Sequence, residues 1–406
     1  MTINVLAIGD VGNILSTLRK FTKTKIHIIN SPKDGAGIFT YDDNYELFEN
    51  YNVLDQVKKI NEIKKNFDLA LVMGTGERIA YLADLNYISY YVGRDIDAPR
   101  FIKNSIEPWY KEPLHKLNFL ERRFYRYFFD GAIAHVGGRW ILPYLIKYSK
   151  NYIRLDRDII DPTLFNDATE PIDKKKERFT FFCPQRFGLS KGTDVLWEAI
   201  KYCKTDFDII QVDWRDTGTD QERRTSLKIR ESRPKQVKLI PMIKRNEITK
   251  YYTWADAVIG NLRIGDFENI ELESIFCKKP VINYADKSIQ YILENKQVES
   301  SFSPTSNEPK EIAKVIDKVV ESKQFRDDLL KREREFVLEI ANTEKIARWW
   351  DSLFEQMVTK HSSIHRNSSK FTLKLNLILF LIGNRLYSKK IFNFLIDKFR
   401  GKDVDV

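Results

Sequence analysis

Short apolar runs alternate with amphipathic stretches along most of the chain, and they fall into two sets. The first set, at 4–8, 25–30, 68–74, 87–93 and 131–137, reads as strands with helical segments between them. The second, at 179–185, 207–214, 237–243, 257–262 and 280–284, has the same rhythm. Strand runs separated by helical stretches predict βαβ units, hence a doubly wound parallel sheet in each half. Residues 166–178 lie between the sets. They are polar, hold one proline and show no apolar periodicity, which marks a linker. The expected order is a first Rossmann-like domain over 1–165, the linker 166–178 and a second Rossmann-like domain over 179–342. A helix follows at 343–360, then a basic amphipathic tail at 361–406.

Several first-half strands end in glycine-bearing turns: Gly9 to Asn13, Gly74 to Arg78, Gly93 to Asp97 and Gly137 to Trp140. Ligands of doubly wound sheets sit beyond the carboxyl ends of the strands, so these turns would line one crevice. Gly9 and Gly12 would let backbone approach a ligand. The run lacks a full GxGxxG pattern, so a plain tight turn stays open. Asp95–x–Asp97 and Asp156–x–Asp158 have the spacing of a metal-binding DxD, a triplet common by chance. His361 and His365 are i,i+4 in a polar segment with no further ligand nearby. No metal site is expected.

At 406 residues the chain suggests two ordinary domains plus extras, and 43% apolar with 31% charged residues is a globular profile. Cys183, Cys203 and Cys277 lie far apart in apolar contexts, as buried thiols of a reducing compartment do. The net charge of +10 points to anionic partners: membrane lipid, nucleic acid or phosphorylated substrates. Residues 101–129 interleave Lys111, Lys116, Arg122, Arg123 and Arg126 with nine aromatic rings. Three readings fit them: a helix on an anionic membrane surface, a helix half buried on its own sheet, or a surface for single-stranded nucleic acid. No RNA motif accompanies the last, so nucleic acid is not an expected partner. The tail holds nine cations against three aspartates, over half the net charge, and reads as an in-plane membrane anchor or a helical hairpin on the body. The start of the chain is a strand and turn without a basic leader, and no run reaches the ~18 apolar residues that span a bilayer. A cytoplasmic protein, peripheral on the inner face of the membrane, is expected.

The second half carries the chemistry. From Asp256 to Tyr284 the chain reads as a strand, a loop with exposed carboxylates, a helix ending near Lys279 and Pro280, and a second strand. Acidic residues early and lysines late in that helix also suit its dipole. Seventy residues earlier, Arg186 and Lys191 lie five apart at a strand-to-helix turn, followed by Gly192. "ELESIFCKKPVINY" resembles the "LEAMACGKPVI" segment of retaining GT-B glycosyltransferases of the glycosyl transferases group 1 type (family 4). "RFGLSKGTDVLWEAI" resembles their "RLxxxKGxxxLxxA". The run from Val237 to Leu262 resembles a third family segment, and Asp161 and Phe165 match its "NGVDxxxF".

The resemblance implies a GT-B fold: two Rossmann-like domains facing a cleft, with the helix 343–360 packing back across them and its tryptophans in the core. It implies a transferase moving a sugar from a UDP- or GDP-linked donor, with retention, to a lipid-linked or glycan acceptor. Arg186 and Lys191 would hold the diphosphate, since fixed cations stabilise a leaving group on which negative charge grows. Gly192 would present helix amides beside them. Glu273, with Ile270, would face the ribose; Met242 and Ile243 would neighbour the base; Gly9 and Gly12 would shape the acceptor-side wall. No cofactor or metal is expected if these groups carry the phosphate charge. Two departures stand out. Val92 replaces a usual histidine next to Arg94, an extra cation in reach of a phosphate. The first of the family's two glutamates, eight residues before Glu273, falls on Gly265. Asp266, its neighbour, is favoured over Glu268 to reach the donor sugar. A GT-B protein that binds a nucleotide or membrane without catalysis is the alternative.

Overall fold

The computed structural model describes residues 2–32, 46–111, 113, 115, 117–214, 219–366, 368, 369, 371, 372, 375–380 and 382, with the Arg94 side chain left out. The first sheet contains β1 Asn4–Ile8, β2 Lys25–Asn30, β3 Glu46–Leu47, β4 Leu69–Val72, β5 Tyr87–Tyr90, β6 Ala134–Gly137 and β7 Tyr152–Arg154. Its order is β3-β2-β1-β4-β5-β6-β7, parallel throughout. The second contains β8 Phe179–Cys183, β9 Phe207–Val212, β10 Val237–Ile240, β11 Ala257–Ile259 and β12 Val281–Ile282. Its order is β10-β9-β8-β11-β12, again parallel. Each expected strand is present, most of them shorter at the carboxyl end. β3 and β7 escaped the sequence reading because two or three residues leave no pattern to read.

Strands such as β4 and β5 are buried along their whole length, because helices cover both faces. One face of the first sheet packs against the helix Thr343–Lys360, whose Ile346, Trp350, Leu353 and Phe354 join the core of that domain. Trp350 meets the Tyr90 ring edge-on at 5.1 Å. Asp351 of this helix accepts from the backbone of Lys23 and Thr24, both at 3.0 Å. The last long helix of the chain is thus pinned to its first domain.

The other face buries Phe124 and Phe128 of the helix Phe119–Asp130. This aromatic segment is core on one side. Its arginines engage near neighbours: Arg123 donates to Tyr127 Oη at 2.8 Å, and Arg126 pairs with Asp130 at 2.7 Å. The start of the tail packs on the same face. Asn86 N donates to Ile364 O at 2.7 Å, Arg366 lies 3.8 Å over the Tyr81 ring, and Phe380 touches Phe124 and Phe128 edge-on. Phe371, Leu375, Ile378, Leu379 and Ile382 are exposed. The amphipathic segment from 383 onward and Lys116 lie outside the described residues. No described helix is long and apolar enough to cross a membrane.

Candidate active site

The loop after β11 sets the geometry. Asn261 closes it by accepting from Arg263 N at 2.8 Å and Ile264 N at 3.0 Å. Gly265 follows with φ +83, and a Cβ there would lie 2.5 Å from Asp286 Cβ. Only glycine fits that turn without displacing the neighbouring chain. A glutamate placed here, where the resemblance puts one, would meet that clash.

Three residues later the chain enters the helix Asn269–Phe276 with Glu268 beside Lys191, and the two side chains form an ion pair. Asn261 Nδ2 donates to Glu268 Oε2 at 3.2 Å and to Ser190 O at 3.1 Å, tying the two loops together. Burial raises the Glu268 carboxyl, but the charge and hydrogen bond of Lys191, then Asn261 and Arg186, hold it below the usual carboxylate range. Arg186, Lys191 and Glu268 therefore meet at one place. Gly192, at φ +68, starts the helix Thr193–Ile200 where a Cβ would press on Leu262 C at 2.8 Å. Behind them Glu271 accepts from Asn261 N at 2.8 Å and Glu268 N at 2.7 Å. Burial, then the Glu268 charge, pushes its carboxyl up to about 7.

One turn on, Glu273 is buried and held by two partners. Tyr252 Oη donates to it at 2.7 Å, and Arg245 forms an ion pair with it. Arg245 also lies 4.7 Å over the Phe165 ring. A narrow cavity gathers Gly12, Asp161, Phe165, Arg245 and Glu273 from both domains. At its mouth Asn269 Nδ2 donates to Gly12 O at 3.1 Å. Asp161 is buried; Lys20 at 2.9 Å and Thr163 overcome the upward pull of burial and keep its carboxyl low. Gly9, at φ +87, packs against Met73 O, where a Cβ would stand 2.7 Å away, so it serves the turn itself. Met242 is 43% exposed after β10, while Ile243 and Ile270 pack on the core of the second domain.

Asp266 does not join the Lys191 group. It is buried among Arg139 at 3.8 Å, Tyr291 Oη at 2.9 Å, Phe267 N at 2.7 Å and Trp140 N at 3.3 Å. Burial raises its carboxyl, with Arg139 opposing. The expectation of exposed carboxylates in this loop is corrected: Asp266, Glu271 and Glu273 are all buried. The second of the two DxD triplets is engaged with other groups of the protein. Asp158 bonds Arg139 at 3.2 Å, and Asp156 bonds Arg139 N at 2.8 Å and Ile292 N at 2.7 Å.

Residues 165–336 match the model of the glycosyl transferases group 1 family. This part of the chain is similar to a group 1 glycosyl transferase domain. Solved structures resemble the chain over nearly its whole length. The HepE protein of Anabaena, in complex with UDP and glucose, aligns at TM-score 0.63 with 16% identity, covering 87% of this chain and 100% of that one. The sucrose-phosphate synthase of Thermosynechococcus elongatus aligns at 0.63 with 14% identity, covering 88% and 100%. A glycosyltransferase of Rickettsia africae aligns at 0.58 with 16% identity, covering 88% and 99%. A comparison with curated protein sequences gave no match. The fold is GT-B, a mixed α/β architecture of two parallel-sheet halves.

Within residues 165–336, sequence reasoning missed Arg245 and Asn261. Arg245 follows Lys244 in a polar run that looks like solvated surface, and only the fold turns it onto Glu273. Asn261 sits directly after an apolar strand, the ordinary place for a turn residue. From the first domain, Arg139 was also missed. Its φ of +58, uncommon outside glycine, aims it at Asp158 and Phe267.

Proposed function

We propose that this protein transfers a sugar from a nucleotide sugar, UDP- or GDP-linked, to an acceptor. The observation that carries the reading is the meeting of Arg186, Lys191 and Glu268 one helical turn from Glu273. A diphosphate arriving at Lys191 would take over the cation from Glu268 and leave that carboxylate free to face the sugar hydroxyls. Two fixed cations then carry the charge that grows on the departing nucleoside diphosphate. Glu273, oriented by Arg245 and Tyr252, would accept from the ribose hydroxyls, since an ionised carboxylate is acceptor-only. With phosphate charge so carried, the reading needs no metal. The complexes of HepE with UDP and with UDP-glucose favour UDP as the nucleotide. Retention of configuration rests on the family resemblance.

We place the acceptor on a lipid or a surface glycan and the protein at an anionic membrane face on the cytoplasmic side. Supporting this are the basic tail and the exposed Phe371, Leu375, Ile378, Leu379 and Ile382. The purified chain offered a panel of UDP- and GDP-sugars tests the central claim by thermal shift, donor hydrolysis and transfer. Silence in all three would reject it. Binding without turnover would instead establish the second reading, a non-catalytic nucleotide-binding GT-B protein. Gly265 at the family's glutamate position and the anion already seated on Lys191 favour that reading.

A further inference from the structure

The first domain holds a cavity that donor chemistry leaves unused. It lies beyond the carboxyl ends of β4 and β5, among Glu77, Arg78, Asp95, Arg100, Phe101 and Tyr125. Sheet order fixes where it opens. β4 and β5 stand between β1 and β6. The turn after β1 touches Asn269 through Gly12, and the turn after β6 touches Asp266 and Phe267 through Trp140 and Arg139. The cavity thus stands at the same sheet edge, between these two contacts with the second domain.

Two guanidinium groups meet there. Arg100 donates to Tyr125 Oη at 2.9 Å and lies 5.2 Å over that ring. Arg78 bonds the same hydroxyl, and its Nε is buried without a hydrogen-bond partner. Burial and the neighbouring Arg100 charge both press the Arg78 guanidinium toward a lower pKa. Among the described residues neither arginine has an ion-pair partner. Like charges held together with an unused buried donor are unfavourable alone, and an anion accepting from both reverses the balance. Glu77 does not supply that anion. Its carboxyl accepts from Tyr91 Oη, and burial pushes it up to about 7, half protonated at neutral pH.

We propose that this cavity holds the acceptor by an anionic group, a phosphate or a carboxylate, clamped between Arg78 and Arg100. The acceptor of the transfer is then an acidic sugar or polyol. The word acceptor rests on the glycosyltransferase reading; the anion site does not.

The test uses the full chain and two matched pairs of probes: methyl glucuronide against methyl glucoside, and glycerol 3-phosphate against glycerol. Isothermal titration should find millimolar binding of one anionic probe and at least tenfold weaker binding of its neutral twin. Which pair responds distinguishes carboxylate from phosphate. Arg78→Gln and Arg100→Gln should each weaken that binding about tenfold, and Arg100→Lys should restore part of it. UDP affinity and thermal midpoint, followed in every variant, separate site loss from misfolding. Equal binding of charged and neutral twins overturns the proposal, as does no binding of either anion or wild-type binding by both glutamine variants. Failure of the chain to bind any UDP- or GDP-sugar would remove the transfer reading and leave the anion result standing.

Discussion

Lys191 and Glu268 form an ion pair whose carboxylate also accepts from Asn261 at 3.2 Å, so the cation expected to hold a diphosphate already carries an anion. A donor must displace that anion. Lys191→Met should weaken UDP binding about tenfold or more, because a charge-assisted contact to phosphate is lost. Glu268→Gln should do something different. With the competing charge removed, donor Kd should improve about threefold, while kcat falls about tenfold or more as the sugar-facing carboxylate disappears. Titration and steady-state kinetics on both variants give the split, and an unchanged kcat in Glu268→Gln would remove Glu268 from the mechanism.

Asp266 and Glu268 lie two residues apart and have opposite surroundings. Asp266 is wholly buried opposite Arg139, which reaches Asp158 as well and stacks 4.3 Å over Phe267. Removing Asp266 leaves Arg139 paired with Asp158 but takes the acceptor from Tyr291 Oη and Trp140 N, at a cost of about 1–3 kcal/mol. Asp266→Ala should therefore lower stability by that order in urea unfolding, with kcat per folded molecule kept within about twofold. A large kcat loss with unchanged stability would return Asp266 to the sugar site.

The two parallel sheets were legible because strands buried on both faces write continuous apolar runs, and β1, β4, β5, β8 and β11 all do so. The nearness of Arg186 and Lys191 was legible as a local motif around one turn, and the structure sets both beside Glu268. The choice between Asp266 and Glu268 was not. Sequence distance favoured Asp266, but direction along a loop depends on φ at Gly265 and on what the first domain presents, here Arg139 and Trp140. Such contacts join residues more than a hundred positions apart and leave no local pattern. The aromatic helix Phe119–Asp130 left three readings open for a related reason. Aromatic and basic residues at helical spacing look the same whether the rings meet lipid or, like Phe124 and Phe128, the strands and tail of their own domain.

Gly265 offers a direct check on why the family glutamate is missing. Any side chain there meets Asp286 Cβ at 2.5 Å and must also hold φ at +83. Left-handed strain and the clash together should make Gly265→Glu destabilising by about 2–4 kcal/mol. Gly265→Ala isolates the backbone and first-carbon part and should account for most of the loss. Thermal melts of the two variants decide it; a Gly265→Glu protein as stable as wild type would show that the loop accommodates the residue.

The start of the tail packs on the first domain. Residues up to Phe380 are anchored on Tyr81, Phe124 and Phe128, so removing 361–406 would strip core contacts along with any membrane element. Deleting only 383–406 takes away Arg385, Lys389, Lys390, Lys398, Arg400 and Lys402 while sparing those contacts. Each basic residue near an anionic surface contributes about 1 kcal/mol. The truncated protein should keep its thermal midpoint and lose most of its pelleting with phosphatidylserine vesicles. Undiminished pelleting would move membrane contact, if any, to the exposed residues before 383.

Glu77 makes stability depend on pH in a defined direction. Burial raises its carboxyl from about 4.5 to about 7 in the folded protein, partly offset by the hydrogen bond from Tyr91. A raised carboxyl means the folded state binds the proton more tightly than the unfolded chain does. Its stabilising contribution is therefore complete below about pH 4.5 and is lost as pH rises through about 7. From 1.36 kcal/mol per unit, reduced for relaxation of the site, the loss is on the order of 2 kcal/mol. Asp10, Asp158, Asp266 and Glu271 are also raised by burial and act in the same direction. The informative quantity is thus the difference between wild type and Glu77→Gln, which keeps an acceptor for Tyr91 but cannot ionise. Urea unfolding at about pH 5 and about pH 8 should show wild type losing on the order of 2 kcal/mol more than the variant between the two. Parallel losses in both proteins would mean that Glu77 stays ionised in the folded state.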